Sequence, residues 1–109
     1  MFFPDAHMHK VKITVIKRTL NSELASQYCN MKVDYCEQFK EGDEFIAGFD
    51  MPKGFCGSAW NDISKYVMTL ISGGNFAEGF FDSWMKENNQ MIACCSDGIR
   101  PVIFKIERI

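Results

Sequence analysis

The stretch Gln90-Met91-Ile92-Ala93-Cys94-Cys95-Ser96-Asp97-Gly98-Ile99-Arg100-Pro101-Val102-Ile103-Phe104-Lys105-Ile106 decides the fold class. Two apolar runs flank Asp97-Gly98, a dipeptide that suits the two-residue type I′ turn of a β-hairpin. A turn at those residues predicts that Ser96 opposes Ile99, Cys95 opposes Arg100 and Ala93 opposes Val102. One face of the pair then carries Met91, Ala93, Cys95, Arg100, Val102, Phe104 and Ile106. The other carries Ile92, Cys94, Pro101, Ile103, Lys105 and Glu107. The first face is the more apolar where the strands are longest, so it is predicted to meet the core. Cys95 then points inward with Arg100 beside it, and Cys94 points outward. Pro101 has no N–H to give to a ladder, which predicts a free edge or a bulge there.

Upstream, Lys10-Val11-Lys12-Ile13-Thr14-Val15-Ile16-Lys17 alternates with period two and is rich in β-branched residues. It predicts a strand with Val11, Ile13 and Val15 on the buried face. Asn21 or Ser22 caps a short predicted helix over 22–30, with Leu24 and Tyr28 on one side. Glu41-Gly42-Asp43 reads as a turn, followed by a short strand at 44–49.

The stretch Met51-Pro52-Lys53-Gly54-Phe55-Cys56-Gly57-Ser58-Ala59-Trp60 breaks the chain and opens the longest helical pattern. That helix is predicted from residue 57 or 58 to Ile71, stopped by Gly73-Gly74. Ala59, Trp60, Ile63, Val67 and Leu70 recur at three- and four-residue spacings, which makes one apolar stripe for a sheet. Residues 75–89 carry Phe76, Phe80, Phe81 and Trp84 around Gly79. They read either as a lid over the core or, through segment 76–84, as a self-association surface of a homo-oligomer.

These elements predict an α+β fold: a small, mainly antiparallel sheet, one main helix packed on one face and a short second helix. Residues 1–9 are expected to be a tail and 10–109 one domain. Hydrophobic residues make up 47% and charged residues 24% of the 109, the balance of an ordinary globular domain. A net charge of −2 gives no basic footprint for nucleic acid or anionic lipid. No apolar run approaches the ~20 residues that span a bilayer. Met1-Phe2-Phe3-Pro4-Asp5 has no signal-peptide core, so the expectation is a cytoplasmic chain that binds neither nucleic acid nor membrane.

The five cysteines are Cys29, Cys36, Cys56, Cys94 and Cys95. Their odd number and the expected reducing compartment argue against a disulfide framework. Cys56 stands at a helix start, whose partial positive charge and unpaired N–H groups suit a thiolate. Arg100 offers Cys95 a similar charge, and Cys36 precedes the Gly42 turn. If these three places converge, their thiolates suit zinc, iron, copper(I) or an iron–sulfur cluster. Asp97, Arg100 and Trp60, one turn after Cys56, are candidates to contact the bound group. Arg100 is expected to pair with Asp62 or with a carboxylate ligand. A thiol redox or nucleophilic enzyme using Cys56 is a second reading. A third is a small interaction module in which the cysteines are core filler, since free cysteine is commonly buried. Cys29 and Cys94 read as structural. His7 and His9 form an H-x-H pair on a terminus that makes a poor scaffold for ligation.

Five motifs occur in order along the chain. They are Lys10-Val11-Lys12-Ile13-Thr14-Val15, Cys36-x-x-Phe39-x-x-Gly42-Asp43-x-Phe45, Pro52-x-Gly54-Phe55-Cys56-x-x-Ala59-Trp60-x-x-Ile63, Gly73-Gly74-Asn75-Phe76, and Cys95-x-Asp97-Gly98-x-Arg100-Pro101-Val102-x-Phe104. Together they resemble a sequence-defined family of small bacterial and archaeal proteins of uncharacterised function, over roughly residues 10–109. The resemblance implies no activity, cofactor or substrate. Its pattern includes the positions of Cys36, Cys56 and Cys95 and not those of Cys29 or Cys94. It therefore favours the same three thiols.

Overall fold

The alternating run becomes β1, Val11–Arg18, in the computed structural model of the protein, which describes residues 9–109. It is followed by α1 (Ser22–Tyr28), β2 (Glu44–Ala47), α2 (Gly57–Ile71), a 3₁₀ turn at Gly79–Phe81, β3 (Gln90–Cys94) and β4 (Val102–Arg108). The sheet order is β2-β1-β4-β3, with every neighbouring pair antiparallel. β1 and β4 lie in the middle and place Val11, Ile13, Val15, Val102, Phe104 and Ile106 on one fully buried face. Onto that face α2 lays Ala59, Ile63, Val67 and Leu70, the buried members of the predicted stripe. Ile63, Val67 and Leu70 each contribute about 1.5–3 kcal/mol on full burial. The opposite face is wet: Lys12 bridges Glu44 and Glu107 at 3.7 and 3.6 Å, and Lys105 reaches Glu107 at 3.5 Å. The predicted α+β architecture is therefore the observed one.

A bulge interrupts β1 where Val15 pairs with Phe104 but Lys17 with Ile103, leaving Ile16 over. Strict alternation would carry Lys17 into the core after Val15. The extra residue turns both Ile16 and Lys17 outward, a common use of a bulge. In α1 the inward residue is Ala25; Leu24 and Tyr28, expected to form its apolar side, are exposed. Phe76 is buried, edge-on to Tyr66 at 5.6 Å, whereas Phe80 and Trp84 of the same aromatic segment are 96% and 62% exposed.

The hairpin departs from its predicted register. Ala93 pairs with Phe104 and Cys94 with Ile103, two places away from a tight Asp97-Gly98 turn. Gly98 does not take the positive φ that a type I′ turn demands. Two interactions, one local and one long-range, compete with that turn. Asp97 Oδ1 accepts the N–H groups of Ile99 and Arg100 at 2.9 and 3.1 Å, closing an Asx-type loop. The chain after β1 also takes residues 99–101 for itself: Thr19 N–H donates to Pro101 O and Asn21 N–H to Ile99 O. Cys95 therefore meets Val102, not Arg100, through a 3.2 Å bond from its N–H to the Val102 carbonyl. A shift of two residues conserves the side-chain alternation, so Cys95 still faces the core side. Pro101 lies one place before β4, so its missing N–H costs no ladder bond and marks no free edge.

α2 ends as its glycines predict. Gly73 takes φ +90°, its N–H donates to Leu70 O, and Gly74 N–H donates to Thr69 O, the bonding pattern of a Schellman motif. Arg108 adds a cation there, donating from Nη1 to the carbonyls of Leu70 and Gly74 at 3.1 and 2.7 Å. This end of the helix is thus tied to β4, and the opposite end opens onto the cleft described next.

Candidate functional site

The Pro52–Gly54 turn delivers Cys56 to the head of α2. Phe55 N–H donates to Pro52 O at 3.2 Å, and Gly54 takes the φ of +81° that the turn requires. Cys56 is the N-cap: its carbonyl accepts the first helical bond, from Trp60 N–H at 2.9 Å, while its side chain makes no capping bond. A thiol standing where Ser, Thr or Asp is usual leaves the first N–H groups of the helix without the ordinary oxygen partner.

Cys56, Cys36 and Cys95 line one cleft of about 740 Å³. Phe39 and Phe55 form its apolar base, their rings 5.0 Å apart and both against Phe104. Gly57, Ser58 and Ala59, the first turn of α2, also line it, as do Gln38, Asp62, Asp97 and Arg100. The loop, the helix start and the hairpin end thus border one cleft. All three cysteines are half-buried and pack against the core; Cys94 is exposed, and neither it nor Cys29 lines this cleft.

Cys36 and Cys95 are positioned by different devices. Cys36 belongs to the irregular segment between α1 and β2, where Arg18 Nη1 donates to its carbonyl at 2.9 Å. Arg18 is itself oriented by Glu41, at 3.0 Å from its Nε, and lies 5.7 Å over the Tyr35 ring. Arg18 was not singled out by sequence reasoning, because a basic residue at a strand end is too common to signal anything. Cys95 Sγ accepts the N–H of Val102 at 3.3 Å.

The polar residues of the cleft are mutually engaged. Asp62 Oδ2 accepts Ser96 N–H at 2.7 Å, so Arg100 pairs with Asp97 at 3.1 Å and not with Asp62. Burial pushes the Asp97 carboxyl up, but the N–H groups of Arg100 and Ile99 and the Arg100 guanidinium outweigh it and hold the group below its ordinary value. Arg100 is raised, chiefly by its bond to Asp97 and that carboxylate's charge, with Cys36 and Glu37 adding to it. Trp60, expected to contact a bound group, is not among the lining residues; it is half-buried and edge-on to Phe55 at 6.2 Å.

Among the described residues, no group of three or more His, Cys, Asp or Glu side chains is arranged to hold a metal ion. His9 is described, its N–H donating to Ile71 O, whereas His7 of the expected pair lies outside the described residues. A second cleft of about 640 Å³ lies across the Arg100–Asp97 pair, lined by Cys29, Tyr35 and other residues of 29–37. Among the described residues no helix is long and apolar enough to cross a membrane. Comparisons with protein-family models, with curated proteins and with solved structures find no match.

Proposed function

We propose that the protein uses Cys36, Cys56 and Cys95 together as thiolate ligands for a metal ion or an iron–sulfur cluster. One observation carries this reading: three thiols from three separate elements line the same cleft, and the other two cysteines do not. Soft sulfur donors select soft or borderline metals. The accumulated negative charge of ligated thiolates is offset by Arg100 and by the positive end of α2. Each thiol releases its proton on ligation, so affinity falls as pH falls.

A second reading, a thiol enzyme with Cys56 as redox or nucleophilic group, draws support from Cys56 at the head of α2 on an accessible cleft. One preparation separates the two. Protein purified without oxygen is assayed for metals and sulfide and its absorption spectrum recorded, beside Cys56→Ser and Cys29→Ser. Bound metal in the parent and in Cys29→Ser, lost in Cys56→Ser, is the expected result. Metal-free parent protein with a spectrum unchanged by Cys56→Ser contradicts the metal reading.

A further inference from the structure

We infer that the outer edge of β3 pairs with the same edge of a second copy of the chain, joining two four-stranded sheets into one continuous sheet. β3 ends the sheet and is bonded to β4 alone. Asn89 O accepts Arg108 N–H at one end of that ladder, and Cys95 N–H donates to Val102 O at the other. In an antiparallel pair, residues that exchange hydrogen bonds alternate with residues that do not. The register therefore turns the backbone groups of Met91 and Ala93 toward β4 and those of Gln90, Ile92 and Cys94 outward. Among the described residues nothing bonds to the outward groups.

The pattern of that edge makes a second copy its partner. The outward set is symmetric about Ile92. Two such strands laid antiparallel across a two-fold axis at Ile92 oppose Ile92 to the partner's Ile92 and Gln90 to the partner's Cys94. Every outward N–H then meets an outward C=O. The axis stands perpendicular to the sheet, so Met91 and Ala93 keep to the core side in both copies. Ile92, 38% exposed on the wet face, is covered by its own counterpart, a β-branched cross-strand pair. The strand also lacks the devices that keep sheet edges apart. Gln90-Met91-Ile92-Ala93-Cys94 has no charge and no proline, and its register with β4 runs without a bulge. The other edge, β2, is a shorter strand and carries Glu44, which pairs with Lys12. An uncharged edge offers a foreign strand nothing selective, whereas its own copy matches it group for group.

The full chain is measured under reductant by sedimentation equilibrium over a range of concentrations. Ile92→Lys, Ile46→Lys and Trp84→Ala, all at exposed sites, are measured beside it once circular dichroism and a thermal melt show that they fold. The parent is expected to be a dimer. Ile92→Lys sets two like charges opposite each other on the axis and should weaken the dimer about tenfold or more. Ile46→Lys, on the other edge, and Trp84→Ala should leave it unchanged. Amide hydrogen exchange of the parent, read residue by residue, adds a check that needs no variant. In the dimer the amides of Gln90, Ile92 and Cys94 should exchange as slowly as those of Met91 and Ala93, and dilution to monomer should release only the first three. A parent that is monomeric at every concentration overturns the pairing. So does fast exchange at the three outward amides of a dimer. A dimer that survives Ile92→Lys and dissociates in Trp84→Ala also overturns it, and moves the contact to the aromatic segment.

Discussion

Phe104→Ala should lower the free energy of unfolding by about 3–5 kcal/mol, a large part of the 5–15 kcal/mol typical of a domain. Phe104 is the largest fully buried side chain among the described residues and sits on β4, in the middle of the sheet. It meets Phe39 edge-on at 5.2 Å and Phe55 at 5.5 Å, so truncation removes the support of both rings as well as its own buried area. Because β4 is paired on both sides, little backbone movement is available to close the resulting cavity. Tyr28→Ala, at a site 78% exposed, should stay within about 0.5 kcal/mol of the parent. Urea denaturation of both variants checks the pair. Equal losses would mean that the sheet face around Phe104 is not the core. Phe39 and Phe55 also form the base of the thiol cleft, so stability and site geometry rest on the same aromatic cluster.

Asp97→Ala should cost about 1 kcal/mol near neutral pH, because the two backbone hydrogen bonds and the charge-assisted bond to Arg100 that it removes all lie at the solvent-exposed surface. The effect should depend on pH in a defined direction. The folded-state carboxyl lies below its ordinary value, so its stabilisation is fully present above the unfolded carboxylate range, near pH ~3.9, and is lost as pH falls through the folded value. The gap between parent and variant should therefore hold from neutral pH to about pH 5 and close in stronger acid. A gap that is absent at neutral pH, or that widens on acidification, would remove Asp97 as the organiser of the loop. The same loop carries Ser96 and Arg100 to the cleft, so the variant should also loosen the Cys95 side of the site.

These two side chains mark where sequence reading succeeds and where it stops. The inward alternation of Val11, Ile13 and Val15 and the stripe of Ala59, Ile63, Val67 and Leu70 are imposed by burial, and burial has a period that shows in sequence. The hairpin faces were legible for the same reason. Its register was not, because the Asp97-Gly98 pair signals a turn without revealing that the Asp97 carboxylate will cap its own loop. Nor does a local dipeptide report that Thr19 and Asn21 will take the carbonyls of Pro101 and Ile99 from about 80 residues away. The partner of Arg100 followed from that error: with Ser96 held by Asp62, the guanidinium turns to Asp97. Cys95 reached the correct side regardless, since a slip of two leaves the alternation intact. Arg18, which holds the Cys36 carbonyl, had no sequence signal because its role exists only through the tertiary packing of the segment before β2.

The central claim is that Cys36, Cys56 and Cys95 serve one bound centre as a unit. Alkylation of the oxygen-free native protein with iodoacetamide, read site by site by mass spectrometry before and after chelation of the metal, tests it directly. Cys94, which is exposed, should react at once in both states, and half-buried Cys29 should react at a rate that chelation does not change. Cys36, Cys56 and Cys95 should be protected together and released together when the metal is removed. Reaction of those three at independent rates that chelation does not alter would contradict the account.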